Sequence, residues 1–178
     1  MANPRRVLLV GSIPLKSAAE VFAAVGKTLG GLVPRIPDGE TGERINWIMF
    51  QADKNCDPGA KPLVQLGDLG FSVEMANRLM AAINRPIGWI HMPVPIDRDD
   101  DAYFAPLKNL ALKPGTELYL GLVHFRDGLE GAARRIAAAR KISPVDFGIL
   151  FECGFGRRPP DEPIAKFLEL HREIATGV

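Results

Sequence analysis

Short apolar runs alternate with amphipathic helical patterns along the sequence, and this alternation constrains the fold more than any other feature. Runs bounded by Gly, Pro and Asp are typical of strands, and a helix after each strand is typical of a parallel sheet. The predicted strands are Arg6–Val10, Leu32–Ile36, Pro62–Leu66, Gly88–Met92, Glu117–Val123 and Asp146–Phe151. The predicted helices are Ser17–Leu29, Thr41–Gln51, Ser72–Ile83, Asp99–Leu107, Gly128–Lys141 and Asp161–Thr176. The pattern predicts a single α/β domain over residues 1–178, with about six βα units.

Charge and apolar content exclude several classes of partner. The formal net charge is +1, and Lys and Arg are interleaved with Asp and Glu, so we expect no nucleic-acid binding. No apolar run approaches the roughly 20 residues that span a bilayer, so we expect no association with a membrane. Met1 to Arg6 leads into the first strand without a signal-peptide pattern, which predicts a cytoplasmic protein with reduced Cys56 and Cys153. We therefore expect the ligand to be a small molecule.

Polar residues cluster at the carboxyl ends of the predicted strands. They are Ser12, Asp38, Glu40, His91, His124, Glu152 and Cys153, with Arg157 shortly after the last strand. The loops after parallel strands converge at one edge of the sheet, so these side chains predict one common site. Gly11-Ser12 lacks the further glycines and the lysine of a phosphate loop, and no strand is followed by G-x-G-x-x-G, so nothing supports nucleotide binding.

His124 and Glu152 are the strongest catalytic residues that this pattern offers. His124 ends a strand and precedes Arg126-Asp127, which can fix its tautomer or its charge. Glu152 is a carboxylate directly after an apolar strand and needs a hydrogen-bond donor nearby, a need that Arg157 or Arg158 could also meet in a purely structural way.

The remaining site residues have structural interpretations as well. Cys153 can be a buried small hydrophobe, and His91, on the same strand face as Trp89, can be a histidine of the core. Asp38 and Glu40 can cap the helix that follows them. The arginines of the Ala-rich helix, Arg134, Arg135 and Arg140, fit a solvated helix face, and His171 fits a structural position in the last helix.

Several blocks of the sequence resemble a known superfamily. They are VLLVGSIPLKSAAEVF, IPDGETGERINWI, WIHMPVPIDRDDDAYFAPL, YLGLVHFRDG and FGILFECGFGRR. As an ordered set they resemble the superfamily that contains cobalamin-independent methionine synthase and uroporphyrinogen decarboxylase. The resemblance implies a (βα)₈, or TIM, barrel with its active site at the carboxyl ends of the strands. With only six units, this chain is expected to be an incomplete or contracted barrel, shortened near residues 51–62.

The resemblance also implies a chemistry. In the methionine synthase, a zinc ion held by a His-x-Cys pair, a glutamate and a final cysteine activates the homocysteine thiol for methyl transfer from a folate. Cys153 matches the final zinc cysteine, but Leu63 and Gln65 occupy the positions of the His-x-Cys pair, and neither side chain binds zinc as His or Cys does. We therefore expect no tight zinc in this chain.

Two functions follow from the resemblance. One is methyl or other one-carbon transfer to a small molecule, with Glu152, Cys153 and His124 as catalytic residues. Substrate contacts are then expected from Ser12, Asp38, Glu40, His91 and Arg157. The alternative is a catalytically inactive ligand-binding or structural protein left by barrel shortening. In either case we expect a homodimer that covers the open side of the barrel.

Overall fold

The computed structural model of the chain describes residues 5–9, 17–35, 67–152 and 163–177. In these ranges, strands and helices alternate as the sequence predicts. The strands are β1 (Arg6–Leu8), β2 (Val33–Arg35), β3 (Trp89–Pro93), β4 (Glu117–Val123) and β5 (Phe147–Phe151). The helices are α1 (Ala18–Leu29), α2 (Gly70–Ala82), α3 (Asp101–Phe104), a 3-10 helix (Ala105–Asn109), α4 (Gly128–Ile142) and α5 (Ile164–Thr176).

The strands form one parallel sheet in the order β2-β1-β5-β4-β3. The first strand therefore pairs with the last, with Val7 opposite Ile149. The α/β class and the parallel sheet are confirmed. The predicted strand Pro62–Leu66, the predicted helix Thr41–Gln51 and the shortening near residues 51–62 lie outside the described residues.

One face of the sheet packs against the helices. Strand residues such as Val7, Leu118 and Ile149 belong to the same core cluster as Val25 of α1 and Phe167 of α5. These apolar side chains recur along each helix at the spacing that forms one stripe, and this stripe is what holds the helix on the sheet. In the described residues, the main core is therefore a layer between the sheet and its helices.

The opposite face of the sheet carries a second, smaller cluster. Leu8, Tyr119 and Leu150 are fully buried there, and Trp89 packs against them. All four belong to strands, so we call this side the strand-only face. Because side chains alternate along a strand, His91, Gly121 and Glu152 belong to the same face as Trp89, Tyr119 and Leu150, two residues before each of them.

Two helix boundaries have clear local causes. The Ser17 hydroxyl accepts a hydrogen bond from the backbone N–H of Glu20 and caps α1. The predicted helix Asp99–Leu107 is wrong in part: Asp100 caps a short α-helix, which gives way to the 3-10 helix at Ala105. Pro106 has no backbone N–H for an α-helical hydrogen bond, which accounts for the change. None of the helices in the described ranges is long and apolar enough to cross a bilayer.

Candidate functional site

The described residues include three of the predicted site residues, His91, His124 and Glu152. His124 and Glu152 directly follow β4 and β5, whereas His91 lies in the middle of β3 and not at its end, where the sequence analysis places it. The other predicted site residues lie outside the described ranges. They are Ser12, Asp38, Glu40, Cys153 and Arg157. The described part of the predicted site therefore consists of two histidines and one carboxylate.

His124 and Glu152 are the first residues after β4 and β5, which are adjacent strands. Val123 lies opposite Phe151 in the register of β4 and β5, and the backbone N–H of Glu152 donates to the carbonyl oxygen of Val123 at 3.3 Å. The next side chains along the two strands then meet: His124 Nδ1 lies 3.4 Å from Glu152 Oε2. Only 7% of the His124 side chain and 14% of the Glu152 side chain are exposed. The result is a buried His–Glu pair.

The other ring nitrogen of His124 sets the protonation pattern of this pair. Nε2 lies 2.7 Å from the carbonyl oxygen of Val94, which can only accept, so Nε2 carries a hydrogen. In a neutral ring, Nδ1 then presents its lone pair to the Glu152 carboxylate. Two lone pairs at this distance repel each other unless a proton lies on one of the two groups. A proton on either group would turn this contact into an attractive one.

Glu152 Oε2 nevertheless has no hydrogen-bond partner among the described residues, because the contact with His124 is close enough for an ion pair but lacks hydrogen-bond geometry. A buried carboxylate oxygen without a donor is costly, and such an atom calls for a further group to complete its environment.

His91 supplies a second buried atom of this kind. Its Nε2 also has no hydrogen-bond partner among the described residues, and only 7% of the residue is exposed. Burial lowers the pKa of His91 from 6.5 to about 3, so the ring is neutral at physiological pH. A neutral imidazole can donate or accept one hydrogen bond at Nε2, depending on its tautomer.

Gly121 brings His91 and Glu152 to the same place. A Cβ atom at Gly121 would lie 3.0 Å from His91 Nε2, 3.0 Å from the Cα of Glu152 and 3.1 Å from the Cα of Pro93. Only glycine leaves this space open between the two strands that flank β4. The unpartnered nitrogen of His91 is therefore a close neighbour of the segment that carries Glu152.

The sequence analysis missed the ion pair between Arg135 and Asp127 in this region. The expectation that Arg135 faces solvent is wrong, since it is fully buried in α4. Arg135 forms a bidentate ion pair with Asp127 at 2.7 and 2.8 Å, and donates to the carbonyl oxygens of Leu122 and Ile96. Burial alone would raise the pKa of Asp127, but the hydrogen bonds and charge of Arg135 outweigh it and lower the pKa.

The sequence contains a pattern that indicates burial of Arg135. The position falls in the apolar stripe of α4, three residues after Ala132 and four before Ala139, both of which are buried. A charged residue at a core position of a helix requires a buried partner, and Asp127, one residue before the helix begins, is within reach.

His171, the third histidine, lies apart from the site in the core of α5. It is fully buried, and its Nδ1 lies 2.8 Å from the carbonyl oxygen of Phe167. Burial lowers its pKa to about 4, against the opposing effect of that hydrogen bond. The structural position expected for His171 is confirmed.

The residues that the resemblance places around zinc were compared with the described part of the chain. No group of three or more His, Cys, Asp or Glu side chains in the described ranges is arranged to hold a metal ion. Among the residues that the resemblance places at the zinc, Leu63 and Gln65 lack suitable donors and lie outside the described ranges, as does Cys153. The residues present do not fit the ion, and we derive no step through a metal.

Comparisons with models of protein families, with curated proteins and with solved structures find no match to this chain. The function is therefore argued from the geometry of the site, with the resemblance as an expectation.

Proposed function

We propose that this chain is a TIM-barrel-derived, methionine-synthase-like protein that binds a small molecule at the carboxyl ends of β3, β4 and β5. In this proposal, the pair His124–Glu152 moves a proton while a methyl or other one-carbon group is transferred to the bound molecule. The observation that carries the proposal is the presence of two buried atoms without hydrogen-bond partners among the described residues, His91 Nε2 and Glu152 Oε2, in residues that lie on either side of Gly121 of β4.

The strand order supports the barrel-derived fold. The order β2-β1-β5-β4-β3 is the order of strands around a barrel, in which the last strand returns to pair with the first. The only neighbours along the chain that are not paired in the described sheet are β2 and β3, its two edge strands. An incomplete or contracted barrel of about six βα units accounts for this order.

The distribution of core residues agrees with the same fold. In an open doubly wound sheet, helices cover both faces. Here the helix residues of the main cluster pack on one face, and the strand-only face buries Leu8, Tyr119 and Leu150 against one another and Trp89. Side chains of several strands that meet in one small cluster are typical of a barrel interior.

The chemistry of the site limits the ligand. Glu152 Oε2 is an acceptor, so the bound molecule is expected to present a donor, such as a thiol, hydroxyl or amine hydrogen. Neutral His91 can then hold a second polar atom of the same molecule. A phosphate or sulfate group would meet the carboxylate with like charge and is disfavoured.

Thiol methylation is the reaction that fits both these side chains and the family that the sequence resembles. The substrate thiol loses its proton to the His124–Glu152 pair, and the sulfur forms a bond to the methyl carbon. The bond between that carbon and the donor nitrogen breaks, and the nitrogen takes up a proton, which the pair can supply. Atoms and charge balance without a redox partner. Proton transfer by a positioned pair contributes about 10²–10⁴ in rate.

A second candidate function is binding without turnover. It is favoured by the sequence observation that Leu63 and Gln65 occupy the positions of two zinc ligands in the resembled family. The same strand-end residues would then hold a small molecule, and the proton pair would serve only to bind it.

A transfer assay tests the proposal and separates the two candidates. The chain is incubated with homocysteine and a folate carrying a ¹³C-labelled methyl group, and the labelled thioether is followed by NMR. Product formation that is lost in Glu152→Gln and kept in the exposed variant Glu169→Gln supports methyl transfer. Binding of homocysteine by calorimetry with no product favours the second candidate. Neither product nor binding contradicts both.

The homodimer is proposed on separate grounds. The described sheet ends in β2 and β3, each paired on one side only within the described residues. Free strand edges favour pairing with a further chain. Light scattering at micromolar concentration is expected to give the mass of two chains, and a stable monomer would contradict the proposal.

A further inference from the structure

We infer that Arg135 is the positioning residue of the His124–Glu152 pair: it fixes the backbone on both sides of the hydrogen bond that orients the His124 ring. The inference rests on the proposed function for the role of that pair. Its geometry stands on the described contacts of α4 with the ends of β3 and β4.

Arg135 holds two carbonyl groups that flank the His124 ring. Its Nε donates to Leu122 at 2.9 Å, and Leu122 precedes His124 by two residues. Its Nη1 donates to Ile96 at 2.7 Å, and Ile96 follows Val94 by two residues. Val94 provides the carbonyl oxygen that lies 2.7 Å from His124 Nε2. One planar guanidinium therefore ties together the segments that carry the donor and the acceptor of this bond.

Asp127 completes the arrangement from the loop after His124. Its two carboxylate oxygens accept from Nη1 and Nη2 of Arg135 at 2.7 and 2.8 Å, which balances the buried charge. The backbone N–H of Gly128 donates to the carbonyl oxygen of His124 at 3.1 Å, which connects the start of α4 to the histidine. Gly131 makes this possible, because a Cβ there would overlap the Asp127 carboxylate.

The consequence for the pair is a fixed tautomer. As long as the carbonyl of Val94 stays in place, Nε2 carries the hydrogen and Nδ1 faces Glu152. If the two segments separate, the ring can rotate and either nitrogen can carry the hydrogen. Lysine cannot replace Arg135 in this role, because a single ammonium nitrogen does not reproduce a planar fork that makes four hydrogen bonds.

NMR of the histidine rings tests the inference without any ligand. The chain has three histidines, so the ring ¹⁵N signals can be assigned by substitution. In the native chain, we expect His124 as the Nε2–H form with slow exchange of that hydrogen. In Arg135→Lys, the exchange is expected to be at least roughly tenfold faster, the scale set by one lost hydrogen bond. The matched control is Arg134→Lys, the exposed neighbouring arginine paired with Asp99, in which His124 is expected to be unchanged.

If Arg135→Lys does not fold, a second variant provides the test. The double variant Asp127→Asn with Arg135→Gln removes both charges together and leaves no buried ion unpaired. Unchanged exchange and ¹⁵N shifts of His124 in whichever variant is folded would overturn the inference. Because no ligand is present, failure of the methyl-transfer assay leaves this result intact, and the two failures can be told apart.

Discussion

His124 Nδ1 lies 3.4 Å from Glu152 Oε2, across the ends of two neighbouring strands. The contact joins two buried side chains of types that act as general acids and bases. It exists because β4 and β5 are paired in a register that sets Val123 opposite Phe151, one residue before each of the two side chains.

Replacement of Glu152 by glutamine tests the role of this contact. The amide of Glu152→Gln can donate to Nδ1 of His124, so the folded chain is expected to lose no more than about 1 kcal/mol in its free energy of unfolding. Methyl transfer, which needs a group able to take up the proton, is expected to fall by about 10² or more. Urea unfolding and the ¹³C assay measure the two effects. An active Glu152→Gln variant would contradict the role of the pair.

Gly121 is expected to be intolerant of a side chain. In Gly121→Ala, the Cβ would lie 3.0 Å from His91 Nε2 and from the Cα of Glu152, and backbone atoms cannot move aside easily. We expect a loss of about 1–3 kcal/mol in the free energy of unfolding.

The matched control for this variant is Gly26→Ala in α1, where an added Cβ meets no atom within 4 Å. There, alanine is expected to raise the free energy of unfolding by up to about 1 kcal/mol because it favours the helix. Equal stability changes at both positions would show that the space beside His91 is not closed.

Stability is expected to fall as the pH is lowered through the ordinary range of histidine. The folded pKa values of His91 and His171 are about 3 and about 4, below the ordinary value of 6.5, because burial disfavours the charged rings. Between these values, the unfolded chain binds more protons than the folded chain, so the free energy of unfolding increases with pH and levels off above 6.5.

At pH 4, each ring is expected to cost about 3 kcal/mol relative to neutral pH. Urea unfolding at several pH values measures the loss, and His91→Leu is expected to reduce the slope. A stability that does not change between pH 4 and pH 7 would show that neither ring is held neutral in the folded chain.

Substitution of two adjacent arginines of α4, Arg134 and Arg135, is expected to have very different effects on the free energy of unfolding. Arg135→Met leaves the partly buried carboxylate of Asp127 without its bidentate partner, and the free energy of unfolding is expected to fall by about 3 kcal/mol. Arg134→Met removes an exposed ion pair with Asp99 and is expected to cost no more than about 1 kcal/mol. Thermal or urea unfolding of the two variants makes the comparison, and similar losses would contradict the buried ion pair.

The order and approximate bounds of the described strands and helices could largely be predicted from the sequence. The strand Glu117–Val123 has the same bounds in the prediction and in the structure, and α1 begins one residue after the predicted start, Ser17, and ends at the predicted residue, Leu29. These features depend on local patterns: a run of apolar residues, and a hydroxyl placed before a helix. The predicted helix Asp99–Leu107 extends beyond the end of α3 at Phe104, because the apolar pattern continues there while Pro106 removes a backbone donor.

The site could be predicted only in part. The pattern located His124 and Glu152 directly after their strands, because that position depends on sequence alone, but it also placed His91 at a strand end, whereas His91 lies in the middle of β3. The pairing of the first strand with the last, and the proximity of His91 to Glu152 across Gly121, are contacts between distant segments that no local pattern specifies. Arg135 was assigned to solvent because a charged residue in an Ala-rich helix is usually exposed, and its partner lies in the preceding loop.

The most direct test of the proposed site is an NMR titration of the chain with homocysteine, in which the ring ¹⁵N signals of the three histidines are followed. The account predicts that His91 and His124 shift together as the ligand fills the space beside Glu152, while His171, in the core of α5, stays unchanged. Signals of His91 and His124 that do not move at millimolar homocysteine, or that move no more than that of His171, would contradict it.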